Sequence, residues 1–151
     1  MLFFAWGTNM DAATLQEWLP SARKLTIAAL HGYQFRFHKR SSTGAKADAF
    51  FIGGPDDVVW GVIFELSDDD ARELDAGQTR VGYRQASVTV VDPEGTPHAV
   101  ITYRASPDMI DASQLPFASY KDPIVRAARD NGLPSEYVAA LERLSATAGE
   151  P

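Results

Sequence analysis

The spacing of apolar and polar positions changes several times along this chain, and each change marks an element. Residues 2–6 are continuously apolar and largely aromatic, which predicts a short buried strand. Gly7-Thr8-Asn9 then reads as a turn. Behind it Asp11 suits a helix N-cap, and Leu15, Trp18 and Leu19 recur at helical spacing until Pro20 stops the run. Residues 24–30 predict a second strand. Residues 33–38 (Tyr-Gln-Phe-Arg-Phe-His) alternate with period two, so Tyr33, Phe35 and Phe37 are assigned to the core side of a half-buried strand. The composition of residues 41–46 predicts a flexible loop, and residues 49–52 a brief strand before the Gly53-Gly54-Pro55 turn. Residues 58–66 are strongly apolar around Gly61, where the missing side chain predicts a bend or close approach by another backbone.

Ser67 predicts a helix cap with Asp68, Asp69 and Asp70 in the first turn, where the helix dipole favours acids. That helix is expected to end near Gly77. Residues 83–91 alternate again, with Ala86, Val88 and Val90 on one face and Gln85, Ser87 and Thr89 on the other. Asp92-Pro93-Glu94-Gly95 has the proline and glycine of a tight turn, and residues 98–103 return as a strand. Two helices close the chain. One is expected to open at Asp122-Pro123 and end at Gly132; the other runs over 134–144 with Tyr137, Leu141 and Leu144 on one face. Residues 146–151 are expected to fray. Without an internal repeat or linker, 1–151 reads as a single domain. Its class is α+β, a small mixed β-barrel with flanking helices.

Composition narrows the function more than the fold. Hydrophobic residues make up 45% and charged residues 23% of the 151 residues, as in an ordinary globular chain that buries roughly 70% of its unfolded surface. The formal charge of −6 argues against nucleic acid or an anionic membrane as a partner. The absence of cysteine removes disulfides, thiol catalysis and zinc–thiolate sites, and His31, His38 and His98 are too scattered for a local metal motif, so no metal is expected. The apolar opening lacks a basic leader, and no run approaches the roughly 20 residues of a membrane span; a cytoplasmic location is the expectation. The Gly7-Thr8-Asn9 turn nevertheless presents backbone N–H groups together, a local nest for a carboxylate or phosphate that net charge does not forbid.

Four segments, in order, resemble the gamma-glutamylcyclotransferase family. Phe4-Ala5-Trp6-Gly7-Thr8-Asn9-Met10 is similar to its Phe-Ala-Tyr-Gly-Ser-Asn-(Met/Leu) signature. Leu74-Asp75-Ala76-Gly77-Gln78 followed by Gly82-Tyr83-Arg84 resembles its central Leu-Asp-x-x-Glu segment and the tyrosine after it. Ile101-Thr102-Tyr103 matches a late strand tyrosine. Tyr120-Lys121 and the run from Ala127 to Tyr137 resemble its C-terminal block. The resemblance implies a β-barrel and a cofactor-free reaction on a small molecule, in which the α-amine of a γ-glutamyl group attacks its own γ-carbonyl. The products are 5-oxoproline and a released amine or amino acid. Tethering of nucleophile to electrophile favours closure once the group is oriented.

By the same resemblance, backbone N–H groups around Gly7, Thr8 and Asn9 hold the α-carboxylate or the oxyanion. Trp6, Tyr83, Tyr103 and Tyr120 line the pocket, with the phenols able to pack on the substrate and donate hydrogen bonds. Trp6 and Thr8 stand where the signature has tyrosine and serine. Gln78 stands where the family carries its glutamate general acid/base, and an amide cannot take and return a proton. Three readings are open: an engineered Glu-to-Gln change that traps substrate, a naturally impaired chain that binds γ-glutamyl ligands without turnover, or another acid such as Glu73 or Asp75. The loop over 41–46 is expected to set the leaving group, and a homodimer is compatible with the resemblance.

Overall fold

The computed structural model describes residues 1–148. Among them are seven strands: β1 (Leu2–Ala5), β2 (Arg23–His31), β3 (Tyr33–Lys39), β4 (Lys46–Phe51), β5 (Val58–Glu65), β6 (Tyr83–Val91) and β7 (Pro97–Ala105). Four α-helices accompany them: α1 (Ala12–Trp18), α2 (Asp68–Arg80), α3 (Ala118–Asp130) and α4 (Ser135–Glu142). Five strands close a barrel in the order β1-β5-β2-β6-β7, sealed by a parallel contact between β1 and β7 at Phe3 and Ile101. β3 and β4 form a separate antiparallel ribbon. The core is a continuous cluster in which Phe4, Phe64, Ile63 and Val62 of the barrel meet Leu15, Leu74 and Ile124 of the helices. Burying side chains of this size supplies roughly 1.5–3 kcal/mol each.

Local chemistry accounts for the element ends. Asp11 caps α1 by accepting from the Thr14 N–H, and Ser67 caps α2 by accepting from the Asp70 N–H, leaving Asp68, Asp69 and Asp70 in its first turn. Gly61 lies beside the Ala5–Val62 end of the antiparallel β1–β5 ladder: a Cβ there would stand 2.3 Å from the Ala5 carbonyl oxygen. The glycine is therefore a close approach of two backbones.

Several sequence expectations shift. β4 begins at Lys46 rather than residue 49, because Ala47 and Ala49 already alternate into the core. α2 continues past Gly77 to Arg80, which puts Gln78 on the helix itself. Gly77 does not stop the helix; a Cβ there would sit 2.5 Å from the Trp18 indole, so the residue is small for packing. The chain turns instead at Gly82, with φ of +91°. α3 starts at Ala118, before Pro123. Its buried Ile124, Val125, Ala127 and Ala128 outweigh the hydrogen bond that the proline forfeits. The tail is not frayed as far as Thr147, which pairs with Phe117 and accepts from the Ala118 N–H; residues 149–151 of that expectation lie outside the described residues.

Candidate active site

β1 delivers the chain into Trp6 and a 3₁₀ turn over Thr8–Met10, closed by the Met10 N–H on the Gly7 carbonyl at 3.1 Å. Trp6 is fixed from inside the barrel. Its indole N–H donates to Thr102 Oγ1 at 3.1 Å, and that hydroxyl donates to the Phe4 carbonyl at 2.8 Å. The indole thus finds a partner for the polar atom it carries in place of a phenol. Among the described residues, none accepts a hydrogen bond from the Gly7, Thr8 or Asn9 N–H. Gly7 has φ of −121°, and a Cβ there would meet no atom within 4 Å. Packing does not demand glycine here, so a side chain would enter open space beside the turn.

That space is a cavity of about 570 Å³. The structure brings all eight sequence-selected residues to its wall: Trp6, Gly7, Thr8, Asn9, Gln78, Tyr83, Tyr103 and Tyr120. They come from β1 and its turn, α2, β6, β7 and α3. Gln78 is half-buried on the last turn and a half of α2. Glu73 and Asp75 do not line the cavity. Glu73 accepts from the Trp18 indole N–H at 3.3 Å.

The tyrosines differ from expectation in one respect: their hydroxyls are engaged by the protein. Tyr83 donates to the Ala47 carbonyl at 2.7 Å, and Tyr120 accepts from the Ala47 N–H at 3.1 Å. Tyr103 donates to Asp75 Oδ1 at 3.0 Å and accepts from Gln85 Nε2 at 3.2 Å. Tyr83 and Tyr103 therefore spend their O–H donors on the protein, whereas Tyr120 is engaged as an acceptor. Burial raises all three phenol pKa values; Tyr103 is pushed up to about 12, with the Asp75 carboxylate adding to burial and the Gln85 amide opposing it.

Sequence reasoning missed the cations. Lys39 at the end of β3, Lys46 at the start of β4 and Arg80 of α2 also line the cavity, and no carboxylate does so among the described residues. Lys39 Nζ lies 5.0 Å from the centre of the Tyr83 ring and Lys46 Nζ 4.2 Å from that of Tyr120, within cation–π range. Burial, then Lys46 and Arg40, lowers the pKa of Lys39; burial lowers that of Lys46. Alternation alone gave no signal for them, because their convergence depends on the β3–β4 register.

Comparison with known proteins agrees with this architecture. The model of the AIG2-like family matches residues 58–141. Gamma-glutamylcyclotransferase of Bos taurus is 31% identical over 149 residues, covering 95% of this chain and 78% of the relative. The protein of that name from Homo sapiens is 30% identical over the same shares. A solved structure titled gamma-glutamyl cyclotransferase superposes with a TM-score of 0.88 at 29% identity, over 99% of this chain and 90% of that one.

Proposed function

The chain belongs to the gamma-glutamylcyclotransferase family, and from that premise we propose that its cavity takes a γ-glutamyl compound and closes it to 5-oxoproline. The α-amine nitrogen bonds to the carbonyl carbon of the γ-amide (Cδ of the glutamyl group), the carbonyl oxygen becomes an oxyanion, and the bond from that carbon to the leaving nitrogen then breaks. One proton travels from the attacking nitrogen to the departing one. In this reading the N–H groups of Gly7, Thr8 and Asn9 receive the α-carboxylate or the oxyanion, donors aimed at developing charge being worth a few kcal/mol each. Trp6, Tyr83, Tyr103 and Tyr120 pack the glutamyl carbons and exclude water. The reaction needs no cofactor, because nucleophile and electrophile arrive joined.

The observation that carries this reading is the meeting of Gln78 with the Gly7–Asn9 turn on the wall of one cavity. At that position a carboxylate could shuttle the proton, whereas an amide keeps the shape and not the chemistry. Turnover by the chain as it stands is therefore low, by something like 10²–10⁴ relative to a glutamate. A second reading, a γ-glutamyl-binding protein without turnover, is favoured by the absence of any carboxylate from the cavity wall among the described residues. No helix among the described residues is long and apolar enough to cross a membrane; the same proposal takes the chain to act in the cytoplasm, alone or as a homodimer.

The test is calorimetric titration with γ-glutamyl amino acids and γ-glutamyl amines, followed by mass spectrometry of the mixtures for 5-oxoproline. Binding with slow product supports the cyclotransferase. Binding with no product above the protein-free control supports the second reading. Absence of binding overturns both.

A further inference from the structure

The block from Ala127 to Tyr137 carries part of the sequence resemblance, yet it puts no residue on the cavity wall. Its link to the site is one side chain. Asn131 caps the C-terminus of α3, and its Nδ2 donates to the Met10 carbonyl at 2.9 Å and to the Ala127 carbonyl at 2.9 Å. Lys24 Nζ of β2 donates to Asn131 Oδ1 at 2.7 Å. The lysine fixes which way the amide faces, because a flipped amide would set its oxygen against two carbonyls and its NH2 against an ammonium.

The helix end does not need this side chain. Gly132, with φ of +74°, closes α3 through its own N–H on the Arg129 carbonyl and the Leu133 N–H on the Ala128 carbonyl, at 3.0 and 3.1 Å. The Ala127 carbonyl already receives the Asn131 backbone N–H at 3.0 Å. The Met10 carbonyl is different. Met10 is 0% exposed, so water does not reach it, and among the described residues no backbone N–H donates to its carbonyl. Met10 is also the last residue of the turn, which its N–H closes on the Gly7 carbonyl at 3.1 Å. One residue thus shuts the turn with its N–H and moors it to α3 with its C=O.

We propose that Asn131 is a positioning residue for the γ-glutamyl site: through the Met10 carbonyl it sets the Gly7–Asn9 turn so that the unpaired N–H groups converge on the substrate's α-carboxylate. Lys24 supports it by orienting the amide. The proposal rests on the γ-glutamyl reading and gives the turn the carboxylate rather than the oxyanion, since three neighbouring N–H groups can serve both carboxylate oxygens.

Isothermal titration with γ-glutamylalanine, together with hydrogen exchange of backbone amides followed by NMR, tests it. Asn131→Asp keeps the shape and the link to Lys24 but turns an oxygen toward the Met10 carbonyl. It should weaken binding at least about tenfold and quicken exchange of the Met10 amide, and Asn131→Ala should do the same. Lys24→Met leaves the donor in place and should weaken binding less than about threefold. Asp92→Ala is the control: it removes the acceptor of the Glu94 and Thr96 N–H groups at the far end of the β6–β7 hairpin. It should lower the melting temperature and leave affinity unchanged. Wild-type affinity in both Asn131 variants overturns the proposal and leaves the γ-glutamyl reading standing. Equal weakening by Asp92→Ala also overturns it, because the loss would then follow general stability. If circular dichroism shows that neither Asn131 variant folds, Lys24→Met decides: faster exchange of the Met10 amide supports the proposal and wild-type exchange overturns it. Absence of binding to the wild-type chain overturns the γ-glutamyl reading and the proposal with it.

Discussion

The Tyr103 hydroxyl donates to Asp75 Oδ1 across 3.0 Å, and Gln85 Nε2 bridges to both. Strand β7 is thereby tied to helix α2 about one turn before Gln78. Asp75 is joined to the cavity wall by this tyrosine and does not line the cavity itself.

This pair has a consequence at high pH. Burial raises Tyr103 to about 12, with Asp75 contributing, and burial also raises Tyr83, Tyr120 and Tyr137 above the ordinary phenol value of about 10. Each phenol holds its proton more tightly in the folded chain than in the unfolded one. Their contribution is complete below about pH 10 and is lost as pH rises toward the folded value. Urea unfolding between about pH 9 and about pH 11.5 should show stability falling steadily above pH 10. Asp75→Asn, which removes the neighbouring charge, should make the fall shallower.

The Trp6 anchor should behave as a buried hydrogen bond. Thr102→Val preserves shape but strips the acceptor from the indole N–H and the donor from the Phe4 carbonyl. The expected cost is about 1–3 kcal/mol, read in denaturant melts, with Thr102→Ser close to wild type.

Gly61→Ala tests the close approach of β5 to β1. A Cβ 2.3 Å from the Ala5 oxygen and 2.9 Å from the Phe4 ring must push two closely packed strands apart. Destabilisation of about 1–3 kcal/mol is expected, against the gain that Gly-to-Ala gives at unstrained sites.

Gly7→Leu separates fold from binding. A Cβ at this position meets nothing within 4 Å and the rest of the side chain has cavity space to enter, so the melting temperature should move by less than about 2 °C. The same side chain occupies cavity space beside the turn, and affinity for γ-glutamyl ligands should fall at least about tenfold. A variant that melts early and binds normally would contradict the assignment of this wall.

Much of this was legible in the sequence because it is written locally. The alternation of Ala86, Val88 and Val90 against Gln85, Ser87 and Thr89 matches the buried and exposed faces of β6. Asp92 turns the chain by accepting from the Gly95 N–H, and Ser67 caps α2. The resemblance picked out eight residues that the fold gathers from distant segments onto one cavity. What escaped is set by tertiary contact. Gly77 reads as a helix end, yet the Trp18 indole explains its size. Pro123 reads as a helix start, yet Ile124 and Ala128 anchor a helix that begins earlier. Lys39 and Lys46 look like surface charges flanking a loop until the β3–β4 register sets them opposite one another against two tyrosines.

Gln78→Glu is the most direct test of the proposed chemistry. 5-Oxoproline release from γ-glutamylalanine should be measured by mass spectrometry for the wild-type and Glu-bearing chains at matched concentration. The expected result is a rate increase of about 10²–10⁴ with binding of similar strength, since the substitution changes the proton carrier and little of the shape. A Glu-bearing chain that binds the ligand and forms no more 5-oxoproline than the wild type would contradict the placement of the acid/base function at residue 78.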